Sequence, residues 1–314
     1  MSPSEPHSSA GSGSVGTVER RRVGVFLLVA FGVAWLTALL IYATGGLTAS
    51  PEVVAGTGLT LSAVLLPTAY MFAPAVGNVA ARLFTGEGRS DLRLRPNLRG
   101  NLRTYALAWW GPAVLTVVGA GVYFLLFPGR FDPTLSTLAA ALETAAGVAV
   151  DPWLVVAVQV GLALTLAPLL NALFAFGEEF GWRAYLLPKL RPLGTIRATL
   201  LVGVVWGVWH WPLIAMGYNY GFDYPGAPAV GMLAMCWFTV TAGTFLAWVT
   251  LRADSVWPAA LGHGAINAVA AVGLLFVAGP PDLLLGPTAL GLVGSLPWAV
   301  LAGWLLVRTS VFGE

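Results

Sequence analysis

Eight stretches of this 314-residue chain are long, apolar and nearly free of charge. That pattern decides the fold class, because a backbone crossing lipid must satisfy its own N–H and C=O groups, and a helix does so within one segment. About 20 apolar residues are needed to cross a hydrocarbon core of about 30 Å. The runs fall near residues 23–42, 54–80, 105–127, 153–178, 195–216, 230–251, 256–278 and 288–307. The expectation is an all-α polytopic membrane protein of about eight transmembrane helices. Composition agrees: 10% of the residues are charged, against about 25% in soluble domains.

These runs leave no room for a large soluble domain. We expect a disordered cytoplasmic tail over 1–22, one eight-helix domain over 23–308 with its motifs within about 150–275, and a short tail over 309–314. His7 lies in the first tail and has no implied role. Arg20, Arg21 and Arg22 ahead of an apolar run look like an export signal. The run is too long for one, however, since a signal's apolar core spans about 7–15 residues. Cys236 is the single cysteine, so no intramolecular disulfide forms, and packing is its expected role. Nothing points to nucleic acid. Arginine outnumbering lysine fifteen to one suggests a bacterial source.

Placement of the basic residues sets the orientation. With eight spans, the N-terminal tail, the loops after spans two, four and six and the C-terminal end hold fifteen of the sixteen Lys and Arg, and only Arg130 falls opposite. By the positive-inside rule, both termini are expected in the cytoplasm of a plasma membrane. Pro67 and Pro74 read as kinks in the second span. Leu92, Leu94, Leu98 and Leu102 in the basic loop that follows, and residues 180–192, read as interfacial segments.

The residues that carry chemistry stand at the end of span four, in Gly177-Glu178-Glu179-Phe180-Gly181-Trp182-Arg183. Ionisable groups at membrane depth cost about 2.5 kcal/mol or more each, so their presence is a functional hypothesis. One helical turn separates Glu179 from Arg183, the spacing of a supporting ion pair, which leaves Glu178 pointing elsewhere. Two apolar spans carry the remaining histidines, His210 with Trp206 and His263 with Asn267, each pair on one helix face at i and i+4. Depth counting puts His263 about 10 Å and His210 about 20 Å from the cytoplasmic edge, with Glu178 nearer that edge. The expectation is therefore tilted or broken helices around a cavity facing the cytoplasm.

A carboxylate in such a cavity can act as general base on a water that a neutral histidine orients, while His263 and Asn267 donate to the oxyanion of an attacked carbonyl. Glu178, His210 and His263 also make a fair Zn2+ ligand set with an open position. Asn267 is a poor zinc ligand and a good oxyanion donor, which favours a reaction requiring no cofactor, with Zn2+ as the alternative. No His-Glu-x-x-His or Gly-x-Ser-x-Gly motif is present.

Glu178-Glu179-x-x-x-Arg183, Trp206-x-x-x-His210 and His263-x-x-x-Asn267 occur in that order on three spans. In this the chain resembles the CPBP intramembrane proteases, the CAAX protease, bacteriocin-processing or Abi family, which includes the type II CAAX prenyl endopeptidases. The resemblance implies an intramembrane peptidase with Glu178 as base, His210 beside it, and His263 with Asn267 at the oxyanion. It also implies that metal dependence is open, because the family has been described both as metalloprotease and as glutamate protease. Trp206 stands where phenylalanine is more usual, which reads as a conservative change in an aromatic wall. Prenylated CAAX tails are cut by eukaryotic members, so for a bacterial chain the expectation is only a membrane-associated peptide or protein. The competing expectation is a non-catalytic scaffold or bacteriocin-immunity-type protein using the same cavity for binding. A transporter fits the span count but lacks inverted repeats.

Overall fold

A computed structural model describes residues 17–313. Residues 1–16 of the expected tail, with His7, and Glu314 lie outside the described residues. Arg20–Arg22 belong to the first helix rather than to a tail. The helices of the bundle are α1 (Arg20–Ala43), α2 (Leu61–Thr85), α3 (Leu102–Leu126), α4 (Pro152–Leu164), α5 (Leu166–Leu193), α6 (Thr195–Trp209), α7 (Ala229–Ala253), α8 (Trp257–Phe276) and α9 (Leu296–Arg308), and a further short helix, Ser136–Ala146, lies between α3 and α4. Among the described residues no strand exceeds an isolated bridge, so the fold is all-α as expected.

The count of eight spans is not confirmed. Five helices are long and apolar enough to cross a membrane, or six if α4 and α5, bent by 49° at their junction, make one span. Two further apolar helices, α6 and α9, have 15 and 13 residues and fall short. Large apolar side chains on the outer faces, such as Leu28 at 76% and Leu125 at 82% exposure, meet lipid rather than water.

Of residues 180–192, the first eight are buried inside the bundle rather than interfacial, and only 188–192 approach a surface. Trp182, Arg183, Tyr185 and Leu187 are fully buried, and the helix continues through them. Glu178 is thus followed by fifteen more residues of α5, about 22 Å of helix, and lies mid-span instead of near an edge. The helix can run on because Glu179 and Arg183 neutralise each other inside it. Lys189 is the basic residue that does reach a surface, meeting Glu19 and Glu87 at the helix end. Residues 86–101 form irregular chain, in which Leu92 packs against the cluster of Phe180, Ala184 and Val256.

Ion pairs gather the arginine-rich segments at one end. Arg22 meets Glu87, Arg82 meets Asp91 at 2.7 Å, and Arg93 meets Asp254. Burial works against the charge on Asp91, yet the Arg82 hydrogen bond and charge hold its carboxyl below the usual range. The opposite end is closed by Asp132, which accepts from the Thr137 N–H and from the Ser136 and Thr134 hydroxyls. Those donors, the Thr137 N–H foremost, hold its carboxyl well below the usual range.

Glycines set how closely the central helices approach. A Cβ on Gly203 or Gly207 of α6 would stand 2.7 or 2.6 Å from the α7 Cα atoms of Val240 and Cys236. Gly177 and Gly181 of α5 meet the α2 backbone at Met71 and Pro74 in the same way. Small residues four apart are what lets helices touch in lipid, where no hydrophobic effect drives them together. Gly207→Ala is expected to destabilise by about 1–3 kcal/mol through overpacking, read as a lower melting temperature in detergent. Gly24→Ala, with nothing within 4 Å of the added methyl group, is the control and is expected to leave it unchanged.

Candidate active site

The three motif helices converge on a single cavity of about 600 Å³. Its lining includes Glu178 and Asn171 from α5, Trp206 and Trp209 from α6, His210 just after it, and His263 and Asn267 from α8. Every residue expected to act chemically is therefore brought to one place, and Glu179 and Arg183 stand immediately behind it, fully buried.

The two glutamates have different surroundings. Glu178 accepts a 2.6 Å hydrogen bond from the Trp206 indole N–H at Oε2. Glu179 Oε1 accepts from Arg183 Nη1 at 3.0 Å and from His263 Nδ1 at 2.8 Å, while its Oε2 is buried without a partner. The expected Glu179–Arg183 pair is present, and it has a second task that spacing did not reveal: it orients His263. With Nδ1 turned to the carboxylate, the imidazole leaves Nε2 free. His210 Nδ1 donates to the Trp206 carbonyl, 2.8 Å away, because a carbonyl can only accept, and this also leaves Nε2 free.

Trp206 is more than a wall. Its N–H holds Glu178, its ring carries the Arg183 guanidinium at 4.5 Å, and His263 meets it edge-on at 5.2 Å. Phenylalanine would keep the last two contacts and lose the first, so the departure from the family's usual residue is not conservative here. Gly243 makes room for the guanidinium, since a Cβ there would stand 2.9 Å from Arg183 Nη2. Trp206→Phe is expected to fold normally and lose about 10–100-fold in turnover, the worth of a hydrogen bond to a charged group. The measurement is kcat against KM for the purified variant.

Some lining residues went unread in the sequence. Asn171 stands two turns before Glu178 on the same face of α5, a signal at i and i+7 that was available. Tyr70, whose hydroxyl donates to the Trp209 carbonyl at 2.6 Å, and Tyr218 arrive from α2 and a loop, where periodicity gives no hint. Both ends of the site adjoin wide helical turns, Leu66–Tyr70 and Trp182–Leu186. Such π-type turns are frequent at functional sites, and Pro67 lacks the N–H that the regular helix would use.

Among the described residues no group of three His, Cys, Asp or Glu is gathered closely enough to hold a metal ion.

A polytopic helical membrane protein with a buried Glu-Glu-Arg helix facing two histidines is the class that fold and site define. Residues 157–269 match the family model described as Type II CAAX prenyl endopeptidase Rce1-like, which bears out the resemblance carried by the three motifs. All three motifs lie within the matched segment. A 47-residue stretch is also 36% identical to the CAAX prenyl protease 2 of Methanococcus maripaludis, covering 15% of this chain and 17% of that protein.

Proposed function

We propose that the chain is an intramembrane endopeptidase that hydrolyses a peptide bond of a membrane-associated peptide or protein. The observation that carries this reading is the division of labour between adjacent glutamates, one fixed by Arg183 and His263, the other facing the cavity with one oxygen committed to Trp206. The free oxygen of Glu178 takes a proton from water as that water attacks the carbonyl, His210 Nε2 accepts the water's second hydrogen and so aims it, and Glu178 then gives its proton to the amine nitrogen as the C–N bond breaks. His263 and Asn267 donate to the oxygen on which negative charge develops. Two carboxylates and one guanidinium leave one negative charge in this buried cluster. A proton on His263 balances it and supplies the Nε2–H the oxyanion needs.

The test compares membrane peptides of cells expressing wild type or Glu178→Gln. A shortened product present only with wild type supports the reading. Identical peptide pools at equal expression would sink it and favour a non-catalytic scaffold or immunity-type protein.

The proposed reaction needs no metal. Purified protein is expected to hold well under one equivalent of zinc by elemental analysis and to keep its activity in strong chelator. One tightly bound zinc per chain, lost in His263→Ala, would reverse this reading.

A further inference from the structure

The cavity has a direction. Starting from the site, its lining runs through Leu213 and Tyr218 after α6, Leu274 at the end of α8, and Leu283 and Leu290 ahead of α9. None of its lining comes from the arginine-rich segments 17–25, 80–105 or 180–200. On that side the site is sealed by Trp182, Tyr185 and Leu187, all fully buried. The Phe131–Val277 bridge and the Arg130–Pro280 hydrogen bond tie the loop after α8 to the end opposite the arginines. A cytoplasmic arginine-rich end and a cytoplasm-facing cavity are therefore incompatible expectations. Depth counting placed the residues but not the side from which they are reached.

The basic bias is the firmer of the two, because with Arg183 set aside as buried inside α5, fourteen of the other fifteen Lys and Arg follow it. We infer that the cavity opens away from the cytoplasm and takes an apolar, uncharged peptide segment from the outer face of the membrane. The lining supports that class of ligand: Tyr70, Trp209, Phe238 and Ile266 supply apolar surface, Asn171 and Asn267 supply amide groups for a peptide backbone, and no Lys or Arg is present to hold a free C-terminal carboxylate. Substrates are then loops or tails on the outer side, cut internally, rather than cytoplasmic C-terminal tails. This rests on the peptidase reading for the cutting but not for the access.

Accessibility decides it. In a Cys236→Ala background of the full chain, Asn267→Cys reports the cavity, Asp223→Cys the loop beyond α6, and Ser90→Cys the arginine-rich end. A membrane-impermeant maleimide added to spheroplasts is expected to label Asp223→Cys and Asn267→Cys at least tenfold faster than Ser90→Cys, which reacts only after lysis. Asn267→Cys reacting together with Ser90→Cys overturns the inference. Leu283→Cys takes its place if Asn267→Cys fails to fold. Cleavage ends found on cytoplasmic tails in the Glu178→Gln peptide comparison also overturn it. Outward labelling with unchanged peptide pools instead sinks the peptidase reading and leaves the access standing.

Discussion

Glu178→Gln is expected to lower hydrolysis by about 10²–10⁴-fold, the share a positioned general base contributes, while leaving folded yield and melting temperature unchanged. Glutamine has the same shape, and its carbonyl oxygen still accepts the Trp206 N–H that Glu178 accepts at 2.6 Å. What it lacks is a basic oxygen for the water's proton. Turnover and thermal unfolding of the same purified sample provide the check. Full activity, or a variant that fails to fold, would mean that the roles of the two glutamates are interchanged.

Glu179 shows the opposite signature. It is 0% exposed, and one of its oxygens serves both Arg183 and His263. Removing one partner of a buried pair leaves an uncompensated charge, at about 3–5 kcal/mol, which is a large part of a typical stability of about 5–15 kcal/mol. Glu179→Ala and Arg183→Ala are each expected to collapse the folded yield in size-exclusion profiles. The double replacement Glu179→Leu with Arg183→Met is expected to recover part of it, because no charge is then stranded, and apolar substitutes for a buried pair are often neutral. It is not expected to recover turnover, since His263 would no longer be oriented. Single variants that fold as well as wild type would remove the structural role assigned to the pair.

The gathering of the candidate site was legible because it rests on residue types that lipid-spanning helices rarely carry: Glu178, His210 and His263 stand out against apolar surroundings, helical periodicity places Trp206 and Asn267 on the same faces, and all five line one cavity. The all-α class was legible for the same reason. The bend between α4 and α5 had a signal that the reading of one unbroken span passed over: Pro168 has no N–H for the Leu164 carbonyl, which accepts from the Trp109 indole instead. Burial of Trp182–Leu190 was missed because alternating apolar and basic residues look alike on a membrane surface and on a helix whose one lysine extends to the protein's end. Nor could spacing show that Glu179 holds His263, a contact between residues 84 positions apart, or that Trp206 gives its N–H to Glu178.

The contacts at Gly177, Gly181, Gly203 and Gly207 have a consequence for how such a protein can diverge. Helices touching backbone to backbone leave no side chain whose exchange could retune the distance between Glu178 and Trp206, so the catalytic floor can drift very little without losing the fold. The rim is different, because Tyr218, Leu283 and Leu290 reach the cavity from loops, which tolerate replacement and insertion. On the proposed function, selection can therefore rewrite which peptide is admitted while the residues proposed to cut it stay fixed, and descendants of one ancestor can acquire new targets without reinventing the reaction.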